Sequence, residues 1–295
     1  MLTETVVTVS AEPHVELFVA QSRGPRERVL LVIHGGPDWD HTYLRQPLAQ
    51  LGHRYRLVMP DLRGCGRSTT RLASDQYTPD AVVTDLAALL DKLAVDVADV
   101  LGFSYGGLLA QRLVLAIPHR VGRLIIASSS IYPVPADAFA GWAERDARLA
   151  AVTAVWSDPH LSGAELVRAA ALTQAPADLW RTDKLDGYLH RLTQVRFTGE
   201  WVKPWQAGIL PPALPAASAH ALARLGIPLL LLHGAQDMTF PASLAVRAAA
   251  ELPNAQAVIL ADAGHMAHID QRSQWLDTID GFLAGPARAK PRPSG

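Results

Sequence analysis

The sequence predicts an α/β class fold: a mostly parallel, doubly wound sheet carrying an inserted helical cap. Six short apolar runs recur along the chain, each ending in Gly, Asp, His or Ser. Runs of roughly four to eight branched apolar residues suit strands buried on both faces. Helix-like stretches separate them, and β-α alternation is the pattern of a parallel sheet. The alternation stops near residue 131 and resumes near 226, and the stretch between has helical pieces but no strand pattern.

In chain order, MLTETVVTVSAEPHVELFVA (1–20) alternates polar and apolar residues and reads as a strand pair. It has no basic segment followed by an apolar core, so no signal peptide and a cytoplasmic location are expected. RVLLVIHGG (28–36) and YRLVMPD (55–61) are the next strands. TPDAVVTDLAALLDKLAV (78–95) is the clearest helix, with Thr78 as N-cap, Pro79 at the first position and Val82, Leu86, Leu89, Leu90 and Leu93 forming its apolar face. ADVLGFS (98–104), a helix from YGGLLAQRLVLA, and RLIIASS (123–129) follow. Five of the seven tryptophans then fall between 131 and 225: Trp142, Trp156, Trp180, Trp201 and Trp205. They either glue a cap to the core or line an apolar pocket over the strand ends. IPLLLLHG (227–234) and AQAVILADA (255–263) complete the sheet. The expected plan is a core of 1–130 and 226–284, a helical cap or lid of 131–225, and a loose, proline-rich basic tail at 285–295.

With 295 residues, 49% hydrophobic and 19% charged, the chain can bury a substantial core. A net charge of −1 without long single-sign blocks lacks the basic field that phosphate-backbone binding requires, so no nucleic acid partner is expected. No apolar run approaches the ~20 residues that span a bilayer, so no membrane partner is expected either. Cys65 is the single cysteine, which excludes an intrachain disulfide and multi-cysteine zinc sites. His265 and His268 form H-x-x-H without the further ligand a zinc site needs, so neither metal nor cofactor is expected. Composition is silent on oligomeric state.

In doubly wound sheets, functional groups gather beyond the carboxyl ends of the strands. Gly102-Phe103-Ser104-Tyr105-Gly106 fits G-x-S-x-G between a strand and a helix, where the serine is held in a strained bend and its flanking residues must be small. A serine hydroxyl needs a base, and the base needs an orienting acid. Asp237 and His265 each follow a strand and supply both. Two rival acids are less apt, since Asp99 lies at the start of its strand and Asp262 only three residues before His265. For the oxyanion, Tyr105 can give one backbone N–H and Gly36 a second, since Pro37 has none. Asp61, Arg63, Gly64 and Gly66 read as a tight turn, and His34 as packing behind the oxyanion loop.

HGGPD (34–38), DLRGCGRS (61–68), GFSYGG (102–107), HGAQD (233–237) and GHMAHID (264–270) together resemble the α/β-hydrolase superfamily, and most closely its proline iminopeptidase-like branch. The resemblance covers about 15–130 and 225–284. It implies the α/β-hydrolase fold with Ser104 as nucleophile, Asp237 as acid, His265 as base, and Gly36 with Tyr105 as oxyanion donors. The branch's pattern is H-G-G-P-G and G-G-S-W-G, whereas this chain has Asp38 and G-F-S-Y-G-G. In that branch, cap carboxylates grip the substrate's free amine. Glu200, beside Phe197, Trp201 and Trp205, is either such a group or a solvated cap residue, and Asp38 is either a solvated loop carboxylate or a substrate contact. The expected activity is hydrolysis of an ester or amide of a hydrophobic small molecule or short peptide through an acyl-enzyme, including removal of an N-terminal aminoacyl group. The alternatives are a carbon–carbon bond hydrolase or lyase on the same fold, and a ligand receptor with little turnover.

Overall fold

The structure, a computed structural model, describes residues 2–285. The expected tail beyond Gly285 lies outside the described residues. Eight strands form one sheet: β1 (Leu2–Ala11), β2 (His14–Ser22), β3 (Val29–Ile33), β4 (Arg56–Pro60), β5 (Ala98–Phe103), β6 (Val121–Ala127), β7 (Leu229–Gly234) and β8 (Ala255–Leu260). Their spatial order is β1-β2-β4-β3-β5-β6-β7-β8. The first two contacts in that order are antiparallel and the rest parallel. Each apolar run of the sequence is one of β3 to β8, and the alternating N-terminus is the β1–β2 pair. From β3 the chain steps to β4 and then crosses back to β5 on the other side of β3. Loops leaving β3 and β5 therefore diverge, which opens a crevice at their carboxyl ends.

The helices in chain order are α1 (Thr42–Leu48), α2 (Pro79–Lys92), α3 (Tyr105–Ala116), α4 (Ala143–Leu149), α5 (Val152–Trp156), α6 (Gly163–Asp178), α7 (Leu185–Leu192), α8 (Val202–Gln206), α9 (Ser218–Leu225), α10 (Ala242–Glu251), α11 (Ala267–Asp270) and α12 (Arg272–Ala284). Strand residues alternate between two layers. Val29, Leu31 and Ile33 of β3 join Leu86, Leu89, Leu109 and Leu113 on the α2–α3 face, while Leu30 and Val32 join Leu44, Trp275 and Ile279 on the α1–α12 face. In α2 the Thr78 hydroxyl accepts from the Ala81 N–H at 3.2 Å, and Val82, Leu86, Leu89 and Leu90 are buried. Fully burying each such leucine contributes roughly 2 kcal/mol, more than its helix propensity supplies.

Between β6 and β7 the chain carries α4 to α9. Leu166, Val167, Ala171 and Ala175 of α6 join the α1–α12 layer, together with Tyr188 and Leu192 of α7. The last helix, α9, returns to the other face: Leu222 joins the α2–α3 layer and the Ser218 hydroxyl donates to Gln111 Oε1 at 2.6 Å. Among the described residues, no helix is long and apolar enough to cross a membrane.

Candidate active site

Ser104 stands between β5 and α3 with φ 53° and ψ −123°, a region that costs an L-residue energy and persists only where the surroundings impose it. Here they do. The Ser104 N–H donates to the Ala127 carbonyl at 2.9 Å, and its own carbonyl accepts from the Gly107 N–H at 2.8 Å. Glycine is obligatory beside it: a Cβ on Gly106 would lie 2.2 Å from the Ile33 carbonyl oxygen, and one on Gly102 would lie 2.4 Å from that of Gly106. Strand, bend and helix can approach this closely only without those side chains, and the bend aims the hydroxyl outwards.

The hydroxyl lies 3.0 Å from His265 Nε2, on the loop after β8. The other ring nitrogen, Nδ1, is 3.0 Å and 3.2 Å from the two carboxylate oxygens of Asp237, on the loop after β7. Asp237 Oδ1 also accepts from the Thr239 and Phe240 N–H groups at 2.7 and 2.9 Å. A second histidine, His233, places Nε2 3.1 Å from Asp237 Oδ2 and 2.7 Å from the Phe240 carbonyl. Because a carbonyl only accepts, that nitrogen carries the proton.

Burial alone would raise the Asp237 pKa, but charge and hydrogen bonds from His265 and His233 hold the carboxyl well below its ordinary range. For His265, burial disfavours the charged ring, and the Asp237 carboxylate outweighs it, so the pKa lies above the usual histidine value. Asp237 therefore fixes Nδ1 as donor and leaves Nε2 to accept from Ser104.

Gly36, at φ 117°, and Tyr105 border the same cavity as Ser104 and His265. Tyr105 is the first residue of α3, where N–H groups have no intrahelical acceptor. Its phenol is held above its ordinary pKa by burial, and its hydroxyl has no partner among the described residues. Behind the loop, the His34 ring receives the Leu62 N–H on Nε2 at 3.0 Å and lies 2.7 Å from the Gly35 carbonyl through Nδ1. Asp61 accepts from the Arg67 N–H at 2.9 Å, and Arg63 pairs with buried Asp85 at 2.6 Å, as a structural turn requires. Asp99 sits at the opposite end of β5, paired with Arg123 at 3.0 Å.

The cavity has a volume of about 550 Å³ and is mainly apolar and aromatic, with Trp39, Phe103, Trp156 and Trp201 in its wall and half-exposed Trp205 in its lining. No Lys or Arg lines it among the described residues. One carboxylate does so without a sequence signal to announce it: Asp178, the last residue of α6. It accepts from the Tyr188 hydroxyl at 2.9 Å and the Gln174 amide at 3.0 Å, and burial pushes its pKa up to about 6.

Two expectations are corrected. Glu200 is not in the cavity wall: its carboxylate accepts from the Tyr77 hydroxyl at 2.8 Å, the Arg71 N–H at 3.2 Å and Lys203 at 3.2 Å. Those donors turn it towards the 71–77 loop, so it holds the fold there instead of meeting a substrate amine. Asp38 borders the cavity but is not solvated, because it is buried and its carboxylate is engaged by Thr198, Trp201 and Val202. Trp201 also borders the cavity while its indole N–H donates to the Arg63 carbonyl at 2.9 Å. His268 lies fully buried among Tyr43, Phe103 and Trp275. No group of three His, Cys, Asp or Glu side chains is arranged to hold a metal among the described residues.

The family model for the alpha/beta hydrolase fold matches residues 28–271. A 2-hydroxymuconate semialdehyde hydrolase of Pseudomonas sp. (strain CF600) is 27% identical over 264 residues, 86% of this chain and 86% of that protein. Among solved structures, a 2-hydroxy-6-oxo-6-phenylhexa-2,4-dienoate hydrolase from Rhodococcus sp. strain RHA1 superposes with a TM-score of 0.74 at 18% identity, covering 97% of this chain and 99% of the other. A proline iminopeptidase-related protein from Thermus thermophilus gives 0.70 at 22% identity, covering 96% and 98%. At these identities, the structural likenesses speak for the fold alone.

Proposed function

The chain belongs to the α/β-hydrolase fold family, and from that premise we propose that it is a serine hydrolase cleaving an amide or ester of a hydrophobic small substrate that carries a free amine. The observation that carries the reading is the hydrogen-bonded line Ser104–His265–Asp237, opening onto an aromatic cavity. His265 Nε2 takes the hydroxyl proton as Oγ attacks the acyl carbon. Asp237 stabilises the resulting imidazolium, and the Gly36 and Tyr105 N–H groups receive the oxyanion. His265 then returns the proton to the leaving group. Water, activated by the same ring, releases the acyl group and regenerates Ser104.

Asp178 supports the amine. It is a buried carboxylate in the cavity wall whose side chain is held by two neutral donors, Gln174 and Tyr188, and whose charged neighbour, His265, is cationic only when protonated. A substrate ammonium would supply the missing charge. This reading keeps the chain in the proline iminopeptidase-like branch and moves amine recognition from Glu200 to Asp178. The helices over the cavity act as its cap. A carbon–carbon bond hydrolase is the second reading, favoured by the likeness in sequence to the semialdehyde hydrolase. The lining weakens it, since a dienoate would bring its carboxylate to a wall with an acid and no Lys or Arg among the described residues.

A fluorophosphonate should label the wild type on Ser104 and leave Ser104→Ala unmodified. Among aminoacyl arylamides, p-nitrophenyl esters and vinylogous diketones, the aminoacyl compounds should turn over best. Asp178→Asn should lower their kcat/KM about 10- to 100-fold, the worth of a charge-assisted contact, and spare neutral esters. Fastest turnover of the diketones, or equal losses on arylamide and ester, would sink the corresponding part of the reading.

A further inference from the structure

The loop that carries Gly36 is fastened from two sides. On the core side, the Gly35 N–H donates to the Tyr43 hydroxyl at 2.8 Å. On the other side, the carbonyl and carboxylate of Asp38 are held by one short segment that follows α7 and runs into α8, while its backbone N–H meets the buried Cys65 thiol. The Asp38 carbonyl accepts from the Thr198 N–H at 2.9 Å. Its carboxylate accepts from the Trp201 and Val202 N–H groups, both at 3.0 Å, and lies 2.9 Å from the Thr198 hydroxyl. Two residues on, Asp40 Oδ2 takes the Arg196 N–H at 3.1 Å. Gly36 and Pro37 thus span the gap between a core anchor and an anchor from the helical segment.

Position 38 has φ 69°, the left-handed region that glycine occupies freely and that aspartate tolerates better than most residues. The pattern of the resembled branch has glycine there. An aspartate accepts some backbone strain and gains a buried clamp in return, since two carboxylate oxygens can satisfy N–H groups that glycine would leave unpaired. The same segment presents Trp201 to the cavity wall, so one structural unit touches both the substrate space and the oxyanion loop.

We infer that Asp38 is a positioning residue, which makes the Gly36 oxyanion donor take its place from the 196–202 segment of the cap. This rests on the serine-hydrolase reading above. Two consequences follow. The cap cannot open at 196–202 without displacing the oxyanion donor. Substrate packed against Trp201 is coupled to transition-state stabilisation and not only to binding.

The test compares the wild type with Asp38→Gly, which fits the backbone but removes the clamp, and Asp38→Asn, which keeps side-chain shape and loses one accepting oxygen. Steady-state rates on a p-nitrophenyl ester and affinity for an alkyl boronic acid, whose adduct with Ser104 places an oxygen in the oxyanion site, are measured below each protein's unfolding temperature. Misplacing an oxyanion donor should cost less than deleting one. Asp38→Gly should therefore lower kcat and boronate affinity together, by about 10- to 100-fold, with KM within about threefold, and Asp38→Asn should fall between it and the wild type. If Asp38→Gly does not fold, Asp38→Asn alone decides, with a parallel loss of kcat and boronate affinity expected. Unchanged kcat and boronate affinity, even with a lower Tm, would reduce Asp38 to a fastener and overturn the inference while leaving Ser104 labelling intact. A wild type whose Ser104 does not label overturns both.

Discussion

At the scale of single residues, Asp178 makes the sharpest claims. Its carboxyl pKa rises from 3.8 to about 6 because burial disfavours the charge. A carboxyl that holds its proton more tightly folded than unfolded is a burden once ionised, so the cost is absent below the unfolded value and complete above about pH 6. Its size is about 3 kcal/mol. Asp178→Asn should therefore raise Tm at pH 7 to 8 and not at pH 3.5, with the Tyr188 hydroxyl turning to accept from the new amide; calorimetry at the two pH values checks it. The same ionisation should mark the kinetics. Neutral esters need only an unprotonated His265, whose pKa lies above 6.5, so their kcat/KM should fall with unit slope as pH drops below it. Amine substrates also need ionised Asp178, so below about pH 6 their slope should approach two, and Asp178→Asn should return it to one. A slope of one for amine substrates on the wild type would remove Asp178 from recognition.

Among the elements, the bend at Ser104 depends on how closely β3, β5 and α3 approach. A Cβ on Gly106 would meet two backbone oxygens, Ile33 at 2.2 Å and His34 at 2.4 Å, and backbone cannot yield as a side chain can. Gly106→Ala should cost about 3 kcal/mol, the upper end of overpacking, in a urea titration. Gly187, inside α7 with nothing within 4 Å of its Cβ position, is the counterpart. Gly187→Ala should stabilise by about 0.5 to 1 kcal/mol through helix propensity alone. The contrast separates a glycine needed for close approach from one that is incidental. GFSYGG announces the first kind because small residues flank a serine at a strand-to-helix junction. Nothing local distinguishes Gly187.

For the whole molecule, what was legible depended on whether the cause was local. The strands β3 to β7 were legible because residues buried on both faces must be apolar in succession, and the half-buried edge strand β8 because its run is apolar but for Gln256. Ser104, Asp237 and His265 were legible because each lies just past a strand run. His233 stood inside HGAQD, but its grip on Asp237 comes from a turn that only the folded chain closes. Asp178 in LTQAPADLW carries no signal, because its burial is completed by the turn back into α7 and by the His265 loop, the latter distant in sequence. Glu200 and Asp38 misled for the same reason, their partners Tyr77 and Trp201 being 123 and 163 residues away. The same long-range fastening joins α6 to the His265 loop. Asp270, buried at the end of α11, accepts from the Trp180 and Gly264 N–H groups at 2.8 Å and the Arg181 N–H at 3.2 Å. Close by, the Met266 N–H donates to the Asp178 carbonyl at 2.8 Å. The end of α6 and the loop bearing the proposed base should therefore open as one unit. Asp270→Ala leaves three N–H groups without their acceptor and should cost about 3 kcal/mol or more. Its signature is spatial: amide hydrogen exchange should accelerate together at 178–181 and 264–268, while β5 and α3 stay protected. Acceleration confined to one of the two segments would show that the end of α6 and the His265 loop move independently.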